Sequence, residues 1–171
     1  VRVPRSWWPM ALLVSIFAAK FVLGFAAGVR SPVLHDPAFV LAMSAALEKK
    51  QLPILLGGDH CLGIGSITAV ANYCRAVGKK LRVIWLDAHA DFNTHEVTPS
   101  GNVHGMPVSC LCGLGPQALT HLGGFSPAMN AEDIRQIGIR SVDPGERQLV
   151  HEQRVSIFDM RYVDEHGMRK V

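Results

Sequence analysis

From about position 36 onward the chain alternates short apolar runs with longer stretches of helical periodicity. Residues 52–56, 81–86, 134–139 and 155–158 are the apolar runs. Each predicts a short strand, and none shows the strict polar alternation of a half-solvated sheet. Between them, Phe39, Val40, Met43, Ala46 and Leu47 form one stripe at helical spacing. Asp36 is placed to cap that helix, with Pro37 at its first position. A second helix is expected over 65–77, closed by Gly78. Two further helical stretches fit 107–114 and 144–153. Strands that alternate with helices, buried on both faces, predict an α/β fold: three α/β/α layers around a mostly parallel sheet.

Composition narrows the class. Apolar residues make up 49% and charged residues 18%, which excludes a disordered chain. Lysines and arginines are scattered and the net charge is +3, so no basic stripe points to nucleic acid. The four cysteines (Cys61, Cys74, Cys110 and Cys112) lack the spacing of a disulfide scaffold and read as reduced thiols of a cytoplasmic protein. Cys110 and Cys112 could hold a soft metal, although small apolar thiols on a helix are the simpler reading.

Residues 1–35 stand apart. Arg2 and Arg5 precede an apolar run from Trp7 to Val29, an order that imitates a secretory signal. A membrane helix there would carry Lys20 near its middle, which is costly. A buried strand and helix at the domain edge, or sequence foreign to the fold, are the other readings. The expected organisation is therefore an apolar segment over 1–35 and a single domain over 36–171.

In parallel sheets, ligands collect beyond the carboxyl ends of the strands. The run 52–56 leads into Gly57-Gly58-Asp59-His60, where the glycines permit a tight turn that projects His60. The run 81–86 leads into Asp87-Ala88-His89-Ala90-Asp91. If the chain stays extended there, Asp87, His89 and Asp91 face one side and the alanines face the packing. Three such groups on one face are costly to bury unless a cation joins them. Carboxylate and imidazole without thiolate suit manganese or another fairly hard ion. A GGDH turn alone is weak, since His60 could simply cap a helix. The two motifs at successive strand ends are far more specific.

The following residues carry a resemblance. Asp87-Ala-His89-Ala-Asp91-Phe-Asn93, then Ser100-Gly101-Asn102-Val103-His104-Gly105-Met106-Pro107, resembles the arginase pattern DAHxDxN followed by SGNxHGxP. Upstream, GGDHCLGIGS resembles the first ureohydrolase motif. Downstream, Ile137 to Glu146 is similar to the arginase segment IGLRDVDPGE, with Ser141 where arginases commonly carry an acid. The resemblance implies the arginase/deacetylase-like fold and a binuclear-metal hydrolase acting on a linear amidine C–N bond. The reaction would be hydrolysis of L-arginine to L-ornithine and urea, as in arginine catabolism or the urea cycle.

Carried over residue by residue, His60, Asp87 and Asp91 would bind one manganese ion. His89 and Asp87 would bind the second, with Asp87 bridging. Asp91 would assist proton transfer to the leaving amine and His104 would shuttle protons. Asn93, Ser100 and Asn102 would hold the substrate carboxylate, which favours arginine over agmatine. Asp143 and Glu146 would lie near its α-amino group. The family's last two metal ligands come from a DxD motif on a later strand. Here 158–161 only imitates it, because Arg161 replaces the second acid, and Asp159 reads as an ordinary strand-end residue. The expectation is a partial ureohydrolase domain, inactive by itself, from a protein that forms a trimer or hexamer when complete. The alternatives are a non-catalytic remnant or a ureohydrolase for another guanidino compound.

Overall fold

The computed structural model describes residues 37–56 and 59–171. The segment 1–35, the Asp36 cap and the Gly57-Gly58 turn lie outside the described residues. Helix α1 spans Pro37–Glu48 and packs on α2, Leu62–Ala76. Helix α2 ends as its sequence predicts. Gly78 takes φ +66°, its N–H donates to the Arg75 carbonyl, and the Lys79 N–H donates to the Cys74 carbonyl. This doubly bonded termination needs a left-handed residue, which glycine adopts without penalty.

Three parallel strands form the sheet: β1, Val83–Leu86; β2, Ile134–Ile139; and β3, Ser156–Asp159, in that spatial order. Between β1 and β2 lie two short helices, α3 (Pro107–Leu111) and α4 (Gln117–Thr120). Helix α5, Pro144–Glu152, crosses from β2 to β3, and α6, Met160–His166, follows β3. The stretch expected to be one helix over 107–114 is thus shorter. The chain turns at Gly113 (φ +84°) and Gly115 (φ +136°).

One face of the sheet carries the core. Ile134, Ile139 and Val155 pack with Ala90, Phe92, Val108 and Met129, and Leu149 and Val150 of α5 press against them. The opposite face is covered in part by α6, whose Tyr162 meets Phe158 edge to face at 5.4 Å. With helices on both sides of a parallel sheet the architecture is three-layer α/β/α.

Two expectations are corrected here. Residues 52–56 form no strand, and Leu52, Ile54 and Leu56 are exposed. A strand needs a partner for its backbone groups and cover for its side chains, and the described residues supply neither. Likewise β1 is not buried on both faces. Val83 and Trp85 join the core, while Ile84 and Leu86 are about 70% exposed (68% and 71%). Among the described residues, nothing lies over them. No described helix is long and apolar enough to cross a membrane.

All four cysteines are free. Burial pushes the Cys112 and Cys61 thiols up to about 12 and the Cys110 thiol to about 11, the opposite of what a thiolate metal ligand requires. Native protein titrated with a chromogenic disulfide reagent at pH 8 should therefore leave these three unreacted until denaturant is added. Rapid native modification of Cys110 or Cys112 would contradict their placement.

Candidate metal centre and substrate cavity

The site forms where the chain leaves β1 and where α2 begins. His60 sits just before α2, in a turn in which the Asp59 carboxylate accepts the Cys61 N–H at 2.8 Å. Its ring meets the Trp85 indole edge to face at 5.6 Å. Beyond β1, the Asp87 N–H donates to Ile137 of β2, and the Asp87 carboxylate accepts the His89 N–H at 3.1 Å. Beside it Gly138 (φ +90°) marks an irregularity in β2, and a Cβ there would come within 3.2 Å of the Asp87 carbonyl.

These elements bring three ligand-type groups together. Nδ1 of His60 lies 2.6 Å from Oδ2 of Asp87 and 3.0 Å from Oδ2 of Asp91, and both carboxylates are buried. One donor atom from each residue falls within 4.8 Å of the others. His89 stands aside, exposed, with Nδ1 3.5 Å from the other Asp87 oxygen. His89 and Asp91 line the same cavity and His89 lies beside Asp87, so the three gather on one side, though not through the expected extended run. The chain does not stay extended, because Asp91 adopts φ +49°. Ala90 is fully buried, as its place in the run predicts.

The charges at this cluster are unbalanced. Burial is the largest influence on Asp91. Together with the neighbouring Asp87 charge it outweighs the His60 hydrogen bond and lifts this carboxyl to about 7. For Asp87, burial raises the pKa, but the His89 N–H and the His60 charge overcome it and hold the group below its usual range. Partial burial pulls the His60 imidazolium down. The Asp91 hydrogen bond and the two carboxylate charges exceed that effect, and its pKa rises.

A divalent cation fits this arrangement. Oδ2 of Asp87 is buried without a hydrogen-bond partner, although His60 Nδ1 is 2.6 Å away, because the imidazole hydrogen bond is directed to Asp91. An orphaned anionic oxygen at a cluster of hard donors is what a metal ion satisfies. Adjacent ligands of a six-coordinate ion with bonds of about 2.1 Å stand about 3 Å apart, close to the spacing here.

A cavity of about 360 Å³ opens beside the cluster. It is lined by His60, His89, Asp91, Asn93, Ser100, His104, Asp143 and Glu146 of the expected site residues, and also by Asp59, Thr98, Gly105 and Ser141. Asn102 lies off this lining, and its N–H donates to Ser100 Oγ at 3.2 Å. His104 is exposed at the rim, its Nδ1 3.8 Å from the Asp59 carboxylate.

Two chain segments are locked together along this wall. Asn93 donates from Nδ2 to Asp143 at 2.9 Å, and its buried Oδ1 has no partner. Asp143 and Glu146 form a reciprocal capping box at the start of α5. Glu146 is almost wholly buried, and its two oxygens accept the N–H groups of Phe92 (2.7 Å) and Asp143 (3.0 Å). Burial raises its pKa against those two hydrogen bonds. It therefore acts first as a brace between the metal run and α5. The sequence alone does not single out Asp59, Thr98 or Gln136. Asp59 is the most accessible of these to sequence reasoning, since it belongs to the GGDH turn.

Fold and site together define an α/β domain with a His/Asp/Asp cluster that could hold a metal ion at the carboxyl end of a parallel sheet. The chain belongs to the arginase family, whose family model matches residues 38–171; members of this family are metal-dependent. It is 42% identical over 130 residues to an arginase of Bacillus caldovelox and 40% identical over 129 residues to an arginase of Bacillus subtilis. Each match takes in about three-quarters of this chain (76% and 75%) and 42% of the relative, so the chain spans less than half the length of these curated relatives. Among solved structures it is similar to the native Bacillus caldovelox arginase, with TM-score 0.74 and 40% identity over 78% of this chain and 44% of that one. It is also similar to the Entamoeba histolytica arginase complexed with L-ornithine, with TM-score 0.69 and 36% identity over 78% and 45%.

Ligation at Asp91 and His60 requires both to be deprotonated. Because the pKa of each is raised, divalent-ion affinity should strengthen from pH 6 to pH 8, and loading near pH 7 should expel protons. Adding a divalent salt to weakly buffered protein and following pH measures this. Saturable binding without proton release would contradict the coupling.

Proposed function

We propose that this chain forms part of an arginase that hydrolyses L-arginine to L-ornithine and urea with two manganese ions. The observation that carries it is the cavity's charge pattern. Asp59, Asp91, Asp143 and Glu146 line it, no described lysine or arginine does, and neutral Asn93, Thr98 and Ser100 share the wall. Such a wall attracts a cationic substrate while offering uncharged partners to a carboxylate. The similar Entamoeba histolytica arginase was solved in complex with L-ornithine, an amino acid with those two features.

His60, Asp87 and Asp91 would hold one ion, and His89 with Asp87 would contribute to the second. When bound, the metal pair supplies a hydroxide nucleophile near neutral pH and charge stabilisation at the reacting carbon. Asp91, beside the ions, would be placed to carry a proton toward the leaving amine. His104 at the exposed rim is suited to exchange protons with solvent. Ser100 faces the cavity and is held in a turn by the Asn102 N–H, so Asn102 would act on the carboxylate partly through Ser100. Asp143, fixed by Asn93, presents negative charge for the α-amino group.

In urea-release assays with manganese on a chain extended to the length of its relatives, L-arginine should exceed agmatine by orders of magnitude, because polar groups left unpaired discriminate strongly. Ser100→Ala and Asn102→Ala should raise KM for arginine and narrow that gap. Equal turnover of both substrates would reject the carboxylate-binding role and favour another guanidino substrate.

Metal counting gives a second test. In a chain extended to the length of its relatives, His60→Asn and His89→Asn should each weaken one manganese ion, while Asp87→Asn weakens both. Two full equivalents retained by Asp87→Asn would remove Asp87 as the bridge.

A further inference from the structure

Gln136 lies in the middle of β2, where the apolar rhythm of the strand calls for a hydrocarbon. It is completely buried. Its Nε2 donates to the carbonyl of Ala90, inside the Asp87–Asp91 run and 46 residues away in sequence. Its Oε1 has no partner, and neither has the indole N–H of Trp85, its direct neighbour across the β1–β2 pair. A core that places an amide here and leaves one end of it unsatisfied gains nothing in packing over a hydrocarbon of the same shape. What the amide does supply is one directed bond, to Ala90.

The peptide so held is the one that sets φ of Asp91. That angle is +49°, in the left-handed region that residues with a Cβ adopt uncommonly, Asp more often than most, and at a cost unless the surroundings hold it. On the far side of Asp91, its carbonyl accepts the Val108 N–H at 2.9 Å, and the Phe92 N–H donates to Glu146. On the near side, the hydrogen bond from Gln136 holds the preceding carbonyl. The Asp91 backbone is clamped from both ends, and its carboxylate is directed at His60 and Asp87 as a result.

We propose that Gln136 is a positioning residue for the metal centre, fixing the Ala90–Asp91 peptide so that the Asp91 carboxylate meets the ion. This rests on the metal-binding reading above. The test compares Gln136→Met, which preserves volume but removes the donor, with Val155→Ala, a core truncation that leaves this bond's donor and acceptor in place. Each variant and the unmodified protein are titrated with Mn2+ against a chelating indicator, and their thermal midpoints are recorded. Gln136→Met should weaken Mn2+ binding roughly tenfold or more, the usual scale for losing a group that orients a ligand. Its midpoint should stay close to that of the unmodified protein, because the orphaned Gln136 oxygen is removed while the Ala90 carbonyl loses its donor. Val155→Ala should lower the midpoint and leave Mn2+ affinity unchanged. Affinity within twofold of the unmodified protein in Gln136→Met overturns the proposal. So does a loss of affinity in Val155→Ala that follows its loss of stability. Absence of Mn2+ binding in the unmodified protein would instead overturn the metal reading itself.

Discussion

Two carboxylates and an imidazole are forced into one small volume, and much of the surrounding structure serves that juxtaposition. Buried like charges repel, and an isolated buried carboxylate is among the costliest groups a fold can carry. Asp87 and Asp91 share this problem unequally. Asp87 stays ionised, helped by the His89 N–H, while Asp91 is driven up to about 7 and holds a proton near neutral pH. A proton and a cation are alternative ways to balance the same charge, so the site is built for whichever binds there more strongly.

Holding that arrangement requires parts distant in sequence. The Asp91 backbone is strained, Gly138 gives the Asp87 carbonyl room, and Glu146 reaches from α5 to the Phe92 N–H. Ser109 completes the enclosure by donating to the Asn93 carbonyl from α3. None of these contacts is apolar, yet each lies at the rim of a core built from Ala90, Phe92, Val108 and Ile139. The core supplies the stiffness, and the polar contacts convert it into direction.

The legible and illegible parts of this sequence divide along the same line. Strand β2 runs over 134–139 as its apolar pattern predicts, α5 begins at Pro144 behind the Asp143 cap, and Gly78 ends α2. Those are local signals, readable from propensity and capping chemistry. The left-handed turn at Asp91 was not readable, because an Asp tolerates that conformation without signalling it and contacts from three separate elements hold it here. Residues 52–56 and the outward face of β1 fail for the converse reason. Their apolar character finds no cover among the described residues, so pattern and observed burial disagree at Leu56, Ile84 and Leu86. Motif spacing fared better than periodicity at the site, since His60, Asp87 and Asp91 do converge. It could not foresee that His89 would stand apart, or that both oxygens of Glu146 would be taken by backbone.

That last feature bears on how metal and substrate communicate. The Glu146 carboxylate ties the residue after Asp91 to the cap of α5, and Asn93 ties the following turn to the Asp143 side chain. The groups that meet a cation and the group that would meet an α-amine therefore share one rigid bracket about three residues wide on each strand end. Asp91 is linked to Asp143 through the Phe92 N–H, the Glu146 carboxylate and the Asp143 N–H. Because the two ends of a bound amino acid would be read by the same bracket, distance along the substrate becomes a criterion for acceptance. On the proposed reading, a shorter or longer side chain would not satisfy both ends unless the bracket itself deformed.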